Sequence, residues 1–293
     1  MDLGALGIHD QVTIDNRMPP AIYLLTDFGT SDPFVGIMKA VMHGINPSIP
    51  LIDLTHEVPA GDIRIGALTL WQSLPYLPER SVVLCVVDPG VGTQRRAILL
   101  KNRGYSFVGP DNGVFTYILG DGFKAWELRN PELALLARGT TFHGRDIFAP
   151  AAAHSASGVP GERFGPPVKE LVRIPEPRLS CRVSGQWVGE VIQIDHFGNA
   201  LTSLGTFSPA GEGSYDLEPW VGDCSKERIN LRKAKVRLTG QVDLSWTEQF
   251  AGVPQEGCGF IVGSSGLIEI VANRQSAVKL LDLAIGTTVT LNA

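Results

Sequence analysis

AIYLLT at residues 21–26 and SVVLCVV at residues 81–87 decide the fold. Both are short apolar runs flanked by turn residues, as expected for strands covered on both faces. Between them, Asp32-Pro33 reads as an N-cap followed by proline at the first helical position. Phe34, Ile37, Met38 and Val41 then recur at helical spacing, and Gly44 is placed to end that helix. A strand at 50–54 leads through HEVPAGD to a helical stretch over 63–74, with Ala67, Leu70, Trp71 and Leu74 apolar. This β-α-β-α-β order predicts an α/β domain with a mostly parallel central sheet.

Working outward, the alternation stops where Pro166, Pro167, Pro175 and Pro177 cluster. Short β-rich runs follow at 187–194, 235–238, 259–262, 268–271 and 287–291, separated by turn signals. The predicted organisation is an α/β domain over 21–175 and a smaller, mainly antiparallel β domain over 176–293. Residues 1–20, with Asp2, Asp10 and Asp15, lack the basic start and apolar centre of a signal peptide and read as an arm.

Composition narrows the function classes. The 293 residues are 44% hydrophobic and 19% charged, enough for a sizeable core. A net charge of −5 gives no basic footprint for nucleic acid, and no polybasic run suits an acidic membrane surface. No apolar stretch reaches the roughly 18–20 residues that cross a bilayer. The expected setting is cytoplasmic. Cys85, Cys181, Cys224 and Cys258 are scattered without CxxC spacing and read as small buried hydrophobes, so neither disulfides nor zinc are expected. His9, His43, His56, His154 and His196 form no HExxH or HxH pattern, and no metal site is expected.

Ligands of an α/β sheet gather at the carboxyl ends of its strands. Two strands here end in aspartate, Asp27 and Asp88, each followed by glycine-containing turns, TDFGTSD and VVDPGVGTQRR. Each aspartate either contacts a ligand or only initiates its turn. PGVGT lacks the ending of a phosphate loop, but it separates Asp88 from Arg95 by a turn tight enough to bring them together. Arginine keeps a neighbouring carboxylate ionised and can hold an anion. In TTFHGRDIFAPAAAHSASG, a helix over 146–157 closed by Gly158 leaves His143 in the loop that enters it. QIDHFGNALTS places Asp195, Phe197 and Asn199 in one turn: an aromatic face and an amide suit a purine, though an ordinary Asx turn has the same residues. GSSGLIEIVANR sets Ser264 and Ser265 before a strand carrying Glu269, which either hold an amino-acid end or shape a hairpin.

Six stretches in order, TDFGTSDPFVG, VVDPGVGTQRR, VGPDNGVF, TFHGRDIFAPAAA, IDHFGNALT and GSSGLIEI, closely resemble the SAM hydroxide adenosyltransferases. These enzymes hydrolyse S-adenosylmethionine (SAM) to adenosine and methionine and are related to the bacterial fluorinase and chlorinase. The resemblance implies a homotrimer with sites at subunit interfaces, SAM as substrate, and no further cofactor. It implies a catalytic trio of Asp88, Arg95 and His143. Halogenases have tyrosine in place of Asp88 and an extra loop, for which residues 96–108 leave no room. It also implies that Asp27 holds the ribose, that Phe197, Phe250 and Asn199 hold adenine, and that Asp195 and Ser264 bind the methionine end. Asp32, Asn112, Phe142 and Glu269 are implied neighbours of the substrate. Ser265 stands where halogenases carry arginine. A SAM halogenase and a SAM or adenosine sensor without turnover are the alternative readings.

Overall fold

The computed structural model describes residues 20–136, 140–182, 185–238 and 243–293, so the expected arm lies, apart from Pro20, outside the described residues. The chain forms two compact units, the first ending at Ile174 and the second running Pro175–Ala293.

In the first unit, β1 (Ile22–Thr26), α1 (Phe34–Ile45), β2 (Leu51–Thr55), α2 (Ile63–Ser73) and β3 (Val82–Val86) alternate in sequence. β4 (Ala97–Asn102), β5 (Tyr105–Pro110), β6 (Lys124–Glu127) and β7 (Pro167–Val168) follow. The seven-stranded sheet has the order β2-β1-β3-β5-β4-β6-β7. Its first four strands are mutually parallel, while β4, β6 and β7 add on antiparallel. All five residues of β3 are buried, as the continuous apolar run requires. Strand alternation sends Ile22, Leu24, Val82, Leu84 and Val86 into one core with Val35, Met38 and Met42 of α1. α3 (Ala149–Ala156) lies in that same core. On the other face, Gly66 of α2 lies against Val87. The chain reverses its direction of travel across the sheet between β1 and β3, so their carboxyl ends flank the crevice where such sheets bind ligands.

The ends of α1 differ from expectation. Its N-cap is Pro33, without a side-chain cap, rather than Asp32, and the helix passes through Gly44 to a C-cap at Asn46. The helical segment expected over 146–157 begins earlier, as one turn of π-helix over Gly144–Phe148 that runs into α3. Gly158 follows the C-cap Ser157 with φ +87°, the left-handed conformation that ends helices.

The second unit contains β8 (Leu179–Arg182), β9 (Gln186–Ile194), β10 (Ala200–Gly211), β11 (Ser214–Glu218), β12 (Glu227–Asn230) and β13 (Lys235–Leu238). β14 (Asp243–Ser245), β15 (Cys258–Val262), β16 (Leu267–Ala272), the short α4 (Ala277–Leu281) and β17 (Thr288–Asn292) complete it. The strands pair antiparallel, with β9 between β10 and β17 and with β16 joining β15 to β10. Trp187, Val191, Leu204, Phe260, Ile270 and Val289 are among its core residues.

One cysteine expectation fails. Cys181 in β8 and Cys224 in the β11–β12 connection form a disulfide with Cα atoms 5.8 Å apart. The partners are 43 positions apart, so only the strand arrangement brings them together. Cys85 and Cys258 are free. Among the described residues, no helix is long and apolar enough to cross a membrane.

Candidate active site

Asp88 sits just beyond β3, and the PGVGT turn folds the chain back on it. The Val91 and Thr93 amides donate to the carbonyls of Asp88 and Gly90, and Thr93 Oγ1 adds a bond to the latter at 2.7 Å. Gly92 completes the reversal with φ +78°, where a β-carbon would also press on the Thr140 carbonyl oxygen at 3.0 Å. Arg95 emerges facing Asp88. Its Nε donates to Oδ1 at 3.0 Å and Oδ2 at 2.9 Å, and its Nη2 donates to Oδ2 at 2.5 Å. The same Nη2 lies 2.7 Å from His143 Nδ1. The side chains of Asp88 and Arg95 are only 4% and 10% exposed, so this pair acts in a medium that screens little. The guanidinium also packs over the Phe148 ring, 5.2 Å from its centroid.

The π-helical turn explains where His143 is. Phe142 O accepts from the Arg145 and Asp146 amides, holding His143 at the head of the turn. Burial, then the Arg95 guanidinium, lowers the His143 pKa from the ordinary histidine value, while Asp88 and Asp146 oppose this. The ring is therefore neutral at neutral pH.

Asp88 and His143 border a cavity of about 330 Å³ whose other walls include Phe28, Phe34, Val91 and Phe142. The three phenylalanines meet edge-to-face with centroids 5.2–6.1 Å apart. The Asp88 carboxylate thus borders a mostly apolar chamber. Phe28, Phe34 and Val91 escaped sequence reasoning, although Phe28 and Val91 lie inside the turns that carried the aspartates. Asp27 accepts from the Gly61 amide at 2.8 Å through Oδ2. Behind it, buried Thr26 Oγ1 lies 2.9 Å from His56 Nδ1, and His56 Nε2 lies 2.9 Å from Asp53, a support the sequence did not disclose. Asn112 donates to the carbonyl of Val87 at 2.9 Å, tying down the residue before Asp88. Asp32 is exposed in the loop before α1 and does not line the cavity.

The second unit gathers another set. The turn between β9 and β10 is an Asx turn: Asp195 Oδ1 accepts from the amides of Phe197 and Asn199, and Oδ2 from Asn199 Nδ2. Gly198 supplies its φ of +82°. This turn puts Phe197 and Asn199 into a cleft of about 1010 Å³ that Phe250, Gln255 and Arg274 also line. Phe197 is 76% and Phe250 47% exposed, so both present ring faces with little cover. Nearby in the same unit, Glu269 is buried, and burial followed by the Asp195 charge pushes its carboxyl up to about 7. Ser264 is exposed in the turn before β16, while the Ser265 hydroxyl is buried without a hydrogen-bond partner. Among the described residues no group of three or more histidine, cysteine or acidic side chains could hold a metal ion.

The SAM hydroxide adenosyltransferase N-terminal domain matches residues 22–165, and the C-terminal domain of the same family matches residues 189–290. The chain belongs to the SAM hydroxide adenosyltransferase family. The two matches fall within the first and second units respectively. This SAM hydroxide adenosyltransferase is 41% identical to the (R)-S-adenosyl-L-methionine hydrolase of Thermus thermophilus, over 92% of this chain and 98% of that one. A fluorinase from an Actinoplanes species is more distant, 25% identical over 93% of this chain and 97% of its own. A crystal structure from Thermotoga maritima superposes with a TM-score of 0.80 at 30% identity, covering 93% of this chain and all of that one.

Proposed function

We propose that the protein hydrolyses SAM to adenosine and L-methionine, with water attacking the ribose 5′ carbon and methionine leaving as the neutral thioether. The observation that carries this reading is the Asp88–Arg95–His143 cluster beside an apolar cavity, in a chain whose 41%-identical relative is named an (R)-SAM hydrolase. From that relative comes the finer substrate assignment, the R epimer at sulfur.

The leaving group carries its own positive charge and needs no proton, so no metal or cofactor enters the proposal. The difficulty lies with the nucleophile, which is neutral water. Holding it in line with the carbon–sulfur bond lowers the barrier by up to roughly 7–11 kcal/mol in ideal cases. A positioned base contributes typically ~10²–10⁴-fold. Asp88, paired with Arg95, and His143 bind the water at the wall of the mostly apolar cavity. Asp27 binds the ribose hydroxyls with Phe142 close by. Phe197 and Phe250 take adenine between them, while Asn199, its amide nitrogen engaged by Asp195, offers its oxygen to the adenine amino group. Asp195 and Glu269 face the methionine ammonium, and Ser264 its carboxylate. Asn112 supports the Asp88 turn, and Asp32 stands at the outer edge of the site. The assembly in this proposal is a homotrimer in the cytoplasm, in which each site draws on two subunits.

Separated R and S epimers of SAM, incubated with the purified protein, test the reading by chromatography. Equal amounts of adenosine and methionine from the R epimer are expected. Recovery of both epimers unchanged would overturn it.

A further inference from the structure

The contact between Arg95 and His143 decides which ring nitrogen carries the proton. Arginine has only donors. Nη2 carries two hydrogens: one is directed at Asp88 Oδ2, 2.5 Å away, and the other at His143 Nδ1, 2.7 Å away. Nδ1 must therefore present its lone pair. A neutral ring with a free Nδ1 bears its hydrogen on Nε2. Protonating Nδ1 would set two N–H groups head to head beside a guanidinium. The lowered His143 pKa, caused by burial and then by Arg95, agrees with this arrangement.

We propose that His143 acts in the reaction as a hydrogen-bond donor through Nε2–H, and that Asp88 is the group that takes the proton from water. The proposal rests on the hydrolase reading and divides the work within that site. His143 has no basic nitrogen left to offer: Nδ1 is engaged by Arg95 and Nε2 is already protonated. Asp88 borders the cavity, and its three contacts from Arg95 leave a lone pair free on Oδ1. In the reacting complex the water oxygen accepts from His143 Nε2–H, one water O–H donates to Asp88, and a remaining lone pair faces the 5′ carbon. As the O–C5′ bond forms, the C5′–S bond breaks and its electron pair stays on sulfur. One water proton passes to Asp88 and then to solvent, while the other remains on the new 5′-hydroxyl. One positive charge enters on the sulfonium and one leaves as the proton. The His143 donor holds the water in line and stabilises the hydroxide character that its oxygen gains as the proton moves to Asp88.

The tautomer can be read without turnover. In the full-length protein labelled with ¹⁵N-histidine, a long-range ¹H–¹⁵N correlation spectrum distinguishes the ring nitrogens, and His143→Gln identifies the His143 signals by their loss. Near neutral pH the expected pattern is a protonated Nε2 and an unprotonated Nδ1. The opposite tautomer, or a doubly protonated ring, overturns the proposal. Kinetics supply the second arm. Glutamine can place an amide donor where Nε2 lies and asparagine cannot, so His143→Gln keeps turnover within about tenfold of wild type. His143→Asn falls with His143→Ala by ~10²–10³-fold. A folded, SAM-binding His143→Gln protein as inactive as His143→Ala overturns the donor role. If the wild-type protein leaves SAM intact, the hydrolase reading fails instead, and the ring spectrum still reports the tautomer separately.

Discussion

Asp88 is a buried carboxylate whose only charged hydrogen-bond partner among the described residues is Arg95, so replacing either leaves the other buried and unmatched. Asp88→Asn keeps the shape and removes the negative charge. It should lower kcat by ~10²–10⁴-fold while SAM affinity, measured by titration calorimetry, changes far less. Wild-type turnover in Asp88→Asn would remove Asp88 from the chemistry. The pH profile follows from His143. Burial and Arg95 hold its pKa below the ordinary histidine value of ~6.5, so the neutral form prevails at neutral pH. As pH falls through the lowered value, Nδ1 gains a proton and loses its bond from Arg95. The acidic limb of kcat/KM attributable to His143 should therefore lie below ~6.5, and the stability linked to this group is lost over the same descent. A limb above that value, removed by His143→Gln, would contradict the assignment. Part of this site was legible. Seven positions and two glycines put Asp88 near Arg95, but His143 lies 48 positions further on, a separation from which no meeting could be inferred.

At the scale of elements, β1, β2, β3, α1 and α2 were legible because apolar periodicity marks buried strands and amphipathic helices directly. β4 to β7 and the long β10 went unread. Their burial depends on neighbours supplied from far along the chain, and β7 has only two residues. The π-helical turn at Gly144–Phe148 was read as loop followed by helix because its signal comes from one additional residue per turn rather than from composition. The Cys181–Cys224 bridge was missed for a related reason: its partners lie on different parts of the second unit and their spacing matches no motif. A bridge closing 43 positions should stabilise the fold by roughly 2–4 kcal/mol. Replacing both cysteines by serine should lower Tm under oxidising conditions and leave kcat unchanged, because neither borders the cavity or the cleft. An unchanged Tm would mean that the bridge adds no stability.

For the whole molecule, the polar groups proposed to handle water belong to the first unit and those proposed to handle adenine to the second. If each site of a cyclic trimer combines the first unit of one subunit with the second unit of its neighbour, two defective chains can repair one another. Asp88→Ala and Asn199→Ala proteins are each expected to be impaired. Co-expressed, they should form mixed trimers in which about a quarter of the sites are intact in both parts. Activity no higher than that of the two variants assayed separately, in trimers shown by mass to be mixed, would contradict shared sites. The central claim is chemical and has a direct test: reaction of (R)-SAM in ¹⁸O-labelled water containing chloride, with the products read by mass spectrometry. Adenosine bearing ¹⁸O at its 5′ oxygen, released together with methionine, is the predicted result. A 5′-chloro-5′-deoxyadenosine product, or adenosine without the label, would contradict it.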